Sequence, residues 1–217
     1  MTYFRKVFVV FCVLAFVPFH VSANDDEGLY APPAPDGSAF FRFVHADVKA
    51  GETSAQAGSK SYGALGFEDV STYFVTPEGP VSFSMNGLSA SGELSADHYY
   101  SIVMEDGRLR VLEDQKIENP QKSLIGLYNF TAQDALTLQT GGKAIAVVED
   151  VASGQSGARE INALKIELDI VNADESIKQS LEPTVLERGQ AFSVFAFQDQ
   201  KGGINLKTVK AETDTTQ

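Results

Sequence analysis

The chain repeats itself. On either side of a polar seam at residues 117–123 (Ile-Glu-Asn-Pro-Gln-Lys-Ser) runs a stretch in which apolar and polar residues alternate, and the two stretches match. Residues 94–103, Leu-Ser-Ala-Asp-His-Tyr-Tyr-Ser-Ile-Val, align with residues 186–195, Leu-Glu-Arg-Gly-Gln-Ala-Phe-Ser-Val-Phe, without a gap. Earlier in each stretch, Phe41-Arg42-Phe43-Val44-His45 aligns with Ile125-Gly126-Leu127-Tyr128-Asn129, and Val81-x-Phe83-x-Met85 with Ile166-x-Leu168-x-Ile170. An internal repeat constrains a fold more than any local pattern, because both copies must form the same structure. The duplication predicts two related domains joined at Asn119-Pro120.

The alternation has a period of two, the signature of strands with one buried face. Phe41, Phe43 and His45 share one face of a strand, with Phe40, Arg42 and Val44 on the other. Leu109 and Val111 point inward, which turns Arg108 and Arg110 outward. Asn86-Gly87 and Asp106-Gly107 are two-residue hairpin signals, and Gly141-Gly142 and Gly202-Gly203 mark further turns. Residues 50–66, rich in Gly, Ala and Ser, admit only short strands or loops, and residues 152–158 read as a Gly/Ser-rich loop. No window carries a helical period. About seven short strands per half predict an all-β protein of two small tandem β-sandwich domains, an internal duplication following a cleaved signal peptide. The expected boundaries are a signal peptide at 1–23, an extended Pro-rich arm at 24–38, sandwiches at 39–116 and 124–210, a linker at 117–123 and a tail at 211–217.

Arg5 and Lys6 precede an apolar run that Pro18 ends, and Val21-Ser22-Ala23 supplies small residues for cleavage; this pattern predicts export to the periplasm. The run is too short to span a bilayer. Loss of Arg5 and Lys6 takes the formal net charge from −12 to −14, which argues against nucleic acid or an anionic membrane as partner. The single cysteine, Cys12, leaves with the signal, so no disulfide, thiolate nucleophile or cysteine metal site is expected in the remainder. Each half must then rest on its apolar core, which is marginal at ~90 residues, and the halves are expected to lean on each other.

The sequence offers no catalytic constellation. Gly154-Gln155-Ser156-Gly157 has the wrong spacing for a serine nucleophile elbow and no helix after it. His45 and His98 align in the repeat with Asn129 and Gln190, which points to structural positions, and two isolated histidines make no metal site. No catalytic residue, metal or cofactor is expected. The interaction candidates are Leu29, Tyr30 and Pro35 in the arm; the cations Arg108, Arg110, Lys116 and Lys122 around the seam; Arg159, Glu160 and Asn162 before a core strand; and Arg188.

Asp25-Asp26 with Gly28-Leu29-Tyr30, Ala34-Pro35-x-Gly37-Ser38, Arg159-Glu160-Ile161-Asn162 and Leu186-Glu187-Arg188-Gly189 resemble, in order and across the mature chain, the alginate biosynthesis protein F family. Ala31-Pro32-Pro33 departs from the family in an extra proline, which stiffens the arm. The resemblance implies a non-catalytic periplasmic adaptor of alginate O-acetylation. It would work beside a membrane acyltransferase and a separate periplasmic acetyltransferase as acetyl groups pass to mannuronate hydroxyls. The alternatives are a carbohydrate-binding module that meets alginate at the seam cations, and an O-acetyltransferase using Ser156 or His98.

Overall fold

The computed structural model describes residues 34–215. The expected signal peptide, Leu29 and Tyr30 lie outside the described residues. The first half is built from β1 (Ser38–His45), β2 (Thr53–Ala57), β3 (Lys60–Leu65), β4 (Tyr73–Pro77), β5 (Gly79–Met85), β6 (Leu88–Leu94), β7 (Tyr99–Glu105) and β8 (Arg108–Asp114). These strands form an inner sheet, β4-β1-β7-β8, and an outer sheet, β3-β2-β5-β6. The second half contains β9 (Lys122–Phe130), β10 (Ala135–Thr140), β11 (Ala146–Ala152), β12 (Gln155–Asn162), β13 (Lys165–Ile166), β14 (Leu168–Asn172), β15 (Lys178–Ser180), β16 (Thr184–Val185), β17 (Ala191–Gln198) and β18 (Ile204–Lys210). Its inner sheet is β12-β9-β17-β18 and its outer sheet β11-β10-β14-β15, with β13 and β16 forming a small ribbon. The strand orders of the two halves are the same.

The repeat holds at the level of single residues. Phe41 pairs with Tyr100 across the parallel β1–β7 ladder, and their sequence counterparts Ile125 and Phe192 pair across the parallel β9–β17 ladder. The Phe40 amide bonds the His98 carbonyl at 2.9 Å, and the Leu124 amide bonds the Gln190 carbonyl at 3.1 Å. Turn chemistry fixes the register of the hairpins. Asn86 and Gly87 have φ of 49° and 74°, and Asp106 and Gly107 of 47° and 67°, the left-handed pair that a tight two-residue turn requires.

Alternation then builds three cores. Phe41, Phe43, Ile102 and Met104 fill the first sandwich against Phe83, Met85 and Leu94. Ile125, Leu127, Phe192 and Val194 fill the second against Leu136, Leu138, Leu168 and Ile170. The opposite faces of the two inner sheets form a third cluster, in which Val44 and Val103 of the first half meet Tyr128, Phe130, Phe195 and Phe197 of the second. Tyr128 stacks on Phe195, and Phe195 on Phe197, with ring centroids 4.5 and 5.8 Å apart. Residues 34–215 accordingly belong to one compact unit. The halves lean on each other through a core as dry as their own.

Two local readings are corrected. The face of β8 that carries Arg110 is solvated only at its start, where Arg108 is exposed, because further along Leu112 packs into the third core and Asp114 is buried. Residues 152–158 are not a loop; all but Ser153 and Gly154 lie in β11 and β12. The small residues there serve close packing. A Cβ at Gly157 would lie 3.2 Å from Val148 Cγ1 and 3.3 Å from Val151 Cγ2.

The third core should carry stability comparable to a sandwich core. Phe195→Ala, at a fully buried position, is expected to cost about 3–5 kcal/mol in urea unfolding. Ile145→Ser, at a site 57% exposed, should change stability by less than about 0.5 kcal/mol. Similar small losses for both would mean that the inner sheets are in loose contact.

Candidate functional site

At the centre of the space between the inner sheets sits a buried arginine. Arg42 projects from β1 with 1% of its surface exposed. Its guanidinium carbon lies 4.6 Å from the Tyr73 ring centroid, 5.1 Å from Tyr128 and 5.0 Å from Phe195, so three ring faces from both halves enclose it. Nε donates to Ser101 Oγ at 2.9 Å, and Ser101 donates onward to Asp114 Oδ2 at 2.7 Å. Arg42 and Asp114 are themselves 3.6 Å apart, and a second guanidinium nitrogen reaches Ser193 Oγ of the second half at 3.2 Å. The carboxylate is completed by the phenols of Tyr73 and Tyr128, each donating at 2.7 Å. Burial, and then the Asp114 charge, pushes both phenols above their usual range, so they remain donors at neutral pH. Burial works against the Arg42 charge, but the surroundings, foremost Tyr128, Tyr73 and Asp114, outweigh it and the pKa is raised.

On one side of Arg42 the aromatic cluster closes the gap between the sheets. On the other the gap stays open as a cleft of about 420 Å³, floored by Tyr73, Tyr128 and Ser193 and walled by Tyr99, Gly126 and Ser156. The opening follows from a broken repeat. Gly126 occupies in the second half the position that Arg42 holds in the first, and a Cβ there would already touch the Tyr128 ring at 3.4 Å. A further groove of about 590 Å³, which shares Glu113, Gln115, Lys116, Leu124 and Ala158 with the cleft, runs out past His98, Arg159 and Glu160.

The seam borders this opening and is tied down. One Glu160 carboxylate oxygen accepts from the amides of Glu118 and Asn119 at 2.6 and 2.9 Å. These two bonds hold the Glu160 carboxyl below the usual range. Lys122 Nζ donates to Asn162 Oδ1 at 2.9 Å, Arg188 to Gln121 Oε1 at 3.3 Å, and the Gly189 amide to the Lys122 carbonyl at 2.8 Å. Lys122 and Ser123, at the end of the seam, are the first residues of β9. The fold therefore gathers Lys122, Glu160, Asn162 and Arg188 around the seam. Lys116 lies nearby, paired with Asp97. Asp97 has φ of 61°, left-handed like its repeat counterpart Gly189 at 69°.

Other sequence candidates fall elsewhere. Arg108 and Arg110 sit at the far end of β8, and eight residues of extended chain, roughly 26 Å, separate Arg108 from Lys116. Arg110 pairs with Glu105 and abuts Gly154, where a Cβ would lie 2.8 Å from its guanidinium. Arg159 lines the groove and reaches the Ala146 carbonyl at 3.4 Å. Pro35 is exposed, and its carbonyl accepts from Ser38 Oγ at 2.6 Å. The residues that hold the centre (Arg42, Tyr73, Asp114, Tyr128) were not singled out from the sequence. A signal existed in Arg42, a charge in a strand whose neighbours on both faces are apolar.

The histidines are placed as the repeat suggests. His45 is fully buried, with Nε2 3.1 Å from the Gly51 carbonyl. Its counterpart Asn129 is also buried and donates to the Gln133 and Val151 carbonyls at 3.1 and 2.9 Å. Both brace backbone. His98 lies at the surface with Nδ1 2.7 Å from Glu113 Oε1. Among the described residues, no three His, Cys, Asp or Glu side chains group to hold a metal ion.

Fold and site together define an internally duplicated double β-sandwich with a polar cleft between its halves. The chain belongs to the AlgF family: the family model described as alginate O-acetyl transferase AlgF matches residues 12–193. The alginate biosynthesis protein AlgF of Pseudomonas fluorescens is 35% identical over 167 residues, 76% of this chain and 75% of that protein. Among solved structures, the C-terminal domain of AlgF from P. aeruginosa is similar at 30% identity, covering 42% of this chain and 98% of that one with a TM-score of 0.38. The corresponding N-terminal domain is similar at 27% identity, covering 38% and 100%, with a TM-score of 0.34.

The Glu160 anchor predicts a pH response. Because the folded pKa lies below the unfolded one, the contribution of Glu160 is fully present above the unfolded value of about 4.3 and is lost as pH falls through the lower folded value. The amide protons of Glu118 and Asn119 should shift together in an NMR titration, with a midpoint below about 4.3. Glu160→Ala should abolish that step. Amides that titrate unchanged in the variant would remove the anchor from the seam.

Proposed function

We propose that this protein is a non-catalytic adaptor of alginate O-acetylation. It acts in the periplasm after removal of residues 1–23 and holds a membrane acyltransferase and a periplasmic acetyltransferase in productive contact. The observation that carries this reading is the use made of the polar groups at the centre. The most activated-looking constellation in the fold, Arg42 with Asp114, two phenols and two serines, is consumed in joining the halves. Tyr73, Tyr128 and Ser101 all donate to Asp114, the buried carboxylate that also pairs with Arg42, so these groups are committed to one closed network that spans the halves. Family membership and the names of the relatives support the pathway.

Charge favours a protein partner over the polymer. Asp97, Glu113, Glu118 and Glu160 line the cleft and groove against Lys116 and Arg159, an acidic excess that repels a polyuronate. The two lysines by the seam already have partners, Lys116 in Asp97 and Lys122 in Asn162.

Tagged full-length protein, exported and purified under gentle extraction, is expected to retain other alginate acetylation proteins. Charge reversal at the rim, Glu113→Lys with Glu118→Lys, should lower the retained amount by about tenfold, the effect of losing ~1.4 kcal/mol of complementary charge, with the urea midpoint unchanged. Arg108→Glu, away from the cleft, should have no effect. No retained partner with the unaltered protein would overturn the adaptor reading. Loss of acetylation in cells on Ser156→Ala, with partners still retained, would replace it with a transferase.

A further inference from the structure

The repeat makes each feature of one half a question about the other, and one answer is missing. The last strand, β19 (Thr213–Asp214), leaves the second half and adds to the first, running parallel to β4 with Thr213 beside Tyr73 and Asp214 beside Phe74. It thereby covers the outer edge of the first inner sheet, whose order becomes β19-β4-β1-β7-β8. The strand that corresponds to β4 in the second half is β12. Phe74 pairs with Phe41 in β1, Arg159 pairs with Ile125 in β9, and Phe41 and Ile125 are counterparts in the repeat. Arg159 is thus the equivalent of Phe74, the residue against which Asp214 lies. Among the described residues, β12 pairs with β9 alone and ends its sheet. β11 packs against one face of β12, at Val148 and Val151, but forms no ladder with it, and Ala158, Arg159 and Glu160 line the open groove of about 590 Å³, with β8 ending on its other side at Glu113 and Asp114.

An unpaired strand edge presents a row of backbone donors and acceptors at the spacing of a strand, and proteins use such edges to capture extended peptides. Here the fold already makes this addition once, at the equivalent edge. We propose that the outer edge of β12 at residues 158–160 is a docking edge for an extended, basic segment of a partner protein, which joins the second inner sheet as a further parallel strand. The polarity follows from β19. The basic character follows from the groove, where Glu113, Glu118 and Glu160 outnumber Arg159 and the Asp97-paired Lys116, and from a chain whose net charge is −12. The backbone supplies affinity, and the acidic rim selects Lys or Arg at alternate positions of the incoming strand. This inference rests on the adaptor reading and names the surface through which it would act.

Hydrogen exchange on the full-length protein tests it. In complex with co-expressed alginate acetylation proteins, amides within residues 156–160 are expected to exchange about tenfold or more slowly, the scale of a newly made backbone ladder. The peptide Lys-Val-Lys-Val-Lys should slow the same amides, and Glu-Val-Glu-Val-Glu should not. A complex that forms with its protection elsewhere would overturn the docking edge and leave the adaptor reading standing. If no complex forms, the adaptor reading falls, and the peptides alone decide the edge: protection by the basic peptide upholds it, and none removes it. Slowing that depends only on protein concentration would make the occupant a second copy of this chain and overturn the basic partner.

Discussion

Arg42 and Asp114 are the interaction on which the arrangement of the halves depends. Both side chains are nearly inaccessible to water, and burial of a charge is costly unless it is paired and hydrogen-bonded. The pair satisfies that condition only with the second half in place. Tyr128 supplies one of the three phenol or serine bonds to Asp114, Ser193 accepts from Arg42, and Phe195 covers one face of the guanidinium. Separating the halves would strip these groups from a charge still enclosed by the first half. The third core adds non-directional burial, while the Arg42 cluster fixes one relative placement, since its donors and acceptors match in that placement alone.

The same residue explains the site. A strict two-fold repeat would have placed side chains of similar bulk at both Arg42 and Gly126. The chain has an arginine in one half and no side chain in the other, so the centre is plugged and the flank is open. The other flank is closed by the aromatic stack and by Lys207, which reaches across to the Glu68 carbonyl at 2.9 Å. Asymmetry between two similar halves has thus opened a cleft beside the seam and, among the described residues, left β12 without the added strand that β19 gives its counterpart β4.

Much of this was legible in the residues. The repeat specified that both halves share one arrangement, and Phe41 with Tyr100 and Ile125 with Phe192, aligned in the sequence, do pair alike in the two parallel ladders. The strand order itself was not legible, because period-two alternation sets which face is buried and not which strands are neighbours. The dipeptides at Asn86-Gly87 and Asp106-Gly107 specified hairpins. The face of β8 bearing Arg110, Leu112 and Asp114 was not legible. A strand partly covered on both sides by two different partners reads, residue by residue, like one exposed on its polar side, and the charge of Asp114 concealed its burial. The strand β12 was missed for a related reason. Its Gly157 and Ala158 permit close sheet approach, yet their small side chains erase the alternation that marks a strand. Among the site residues, Glu160, Asn162, Lys122 and Arg188 were visible as polar groups beside the seam, whereas their mutual bonds depend on strands far apart in sequence.

If the buried pair couples the halves, damage to it must be felt in both. Native-state hydrogen exchange on Arg42→Ala reads this directly, strand by strand. The account predicts that protection falls in β9 and β17 as much as in β1 and β7, by about 3–5 kcal/mol, the cost of leaving a buried carboxylate without its cation. A fall confined to β1, β4, β7 and β8, with β9 and β17 protected as before, would contradict it and make the halves independent domains in contact.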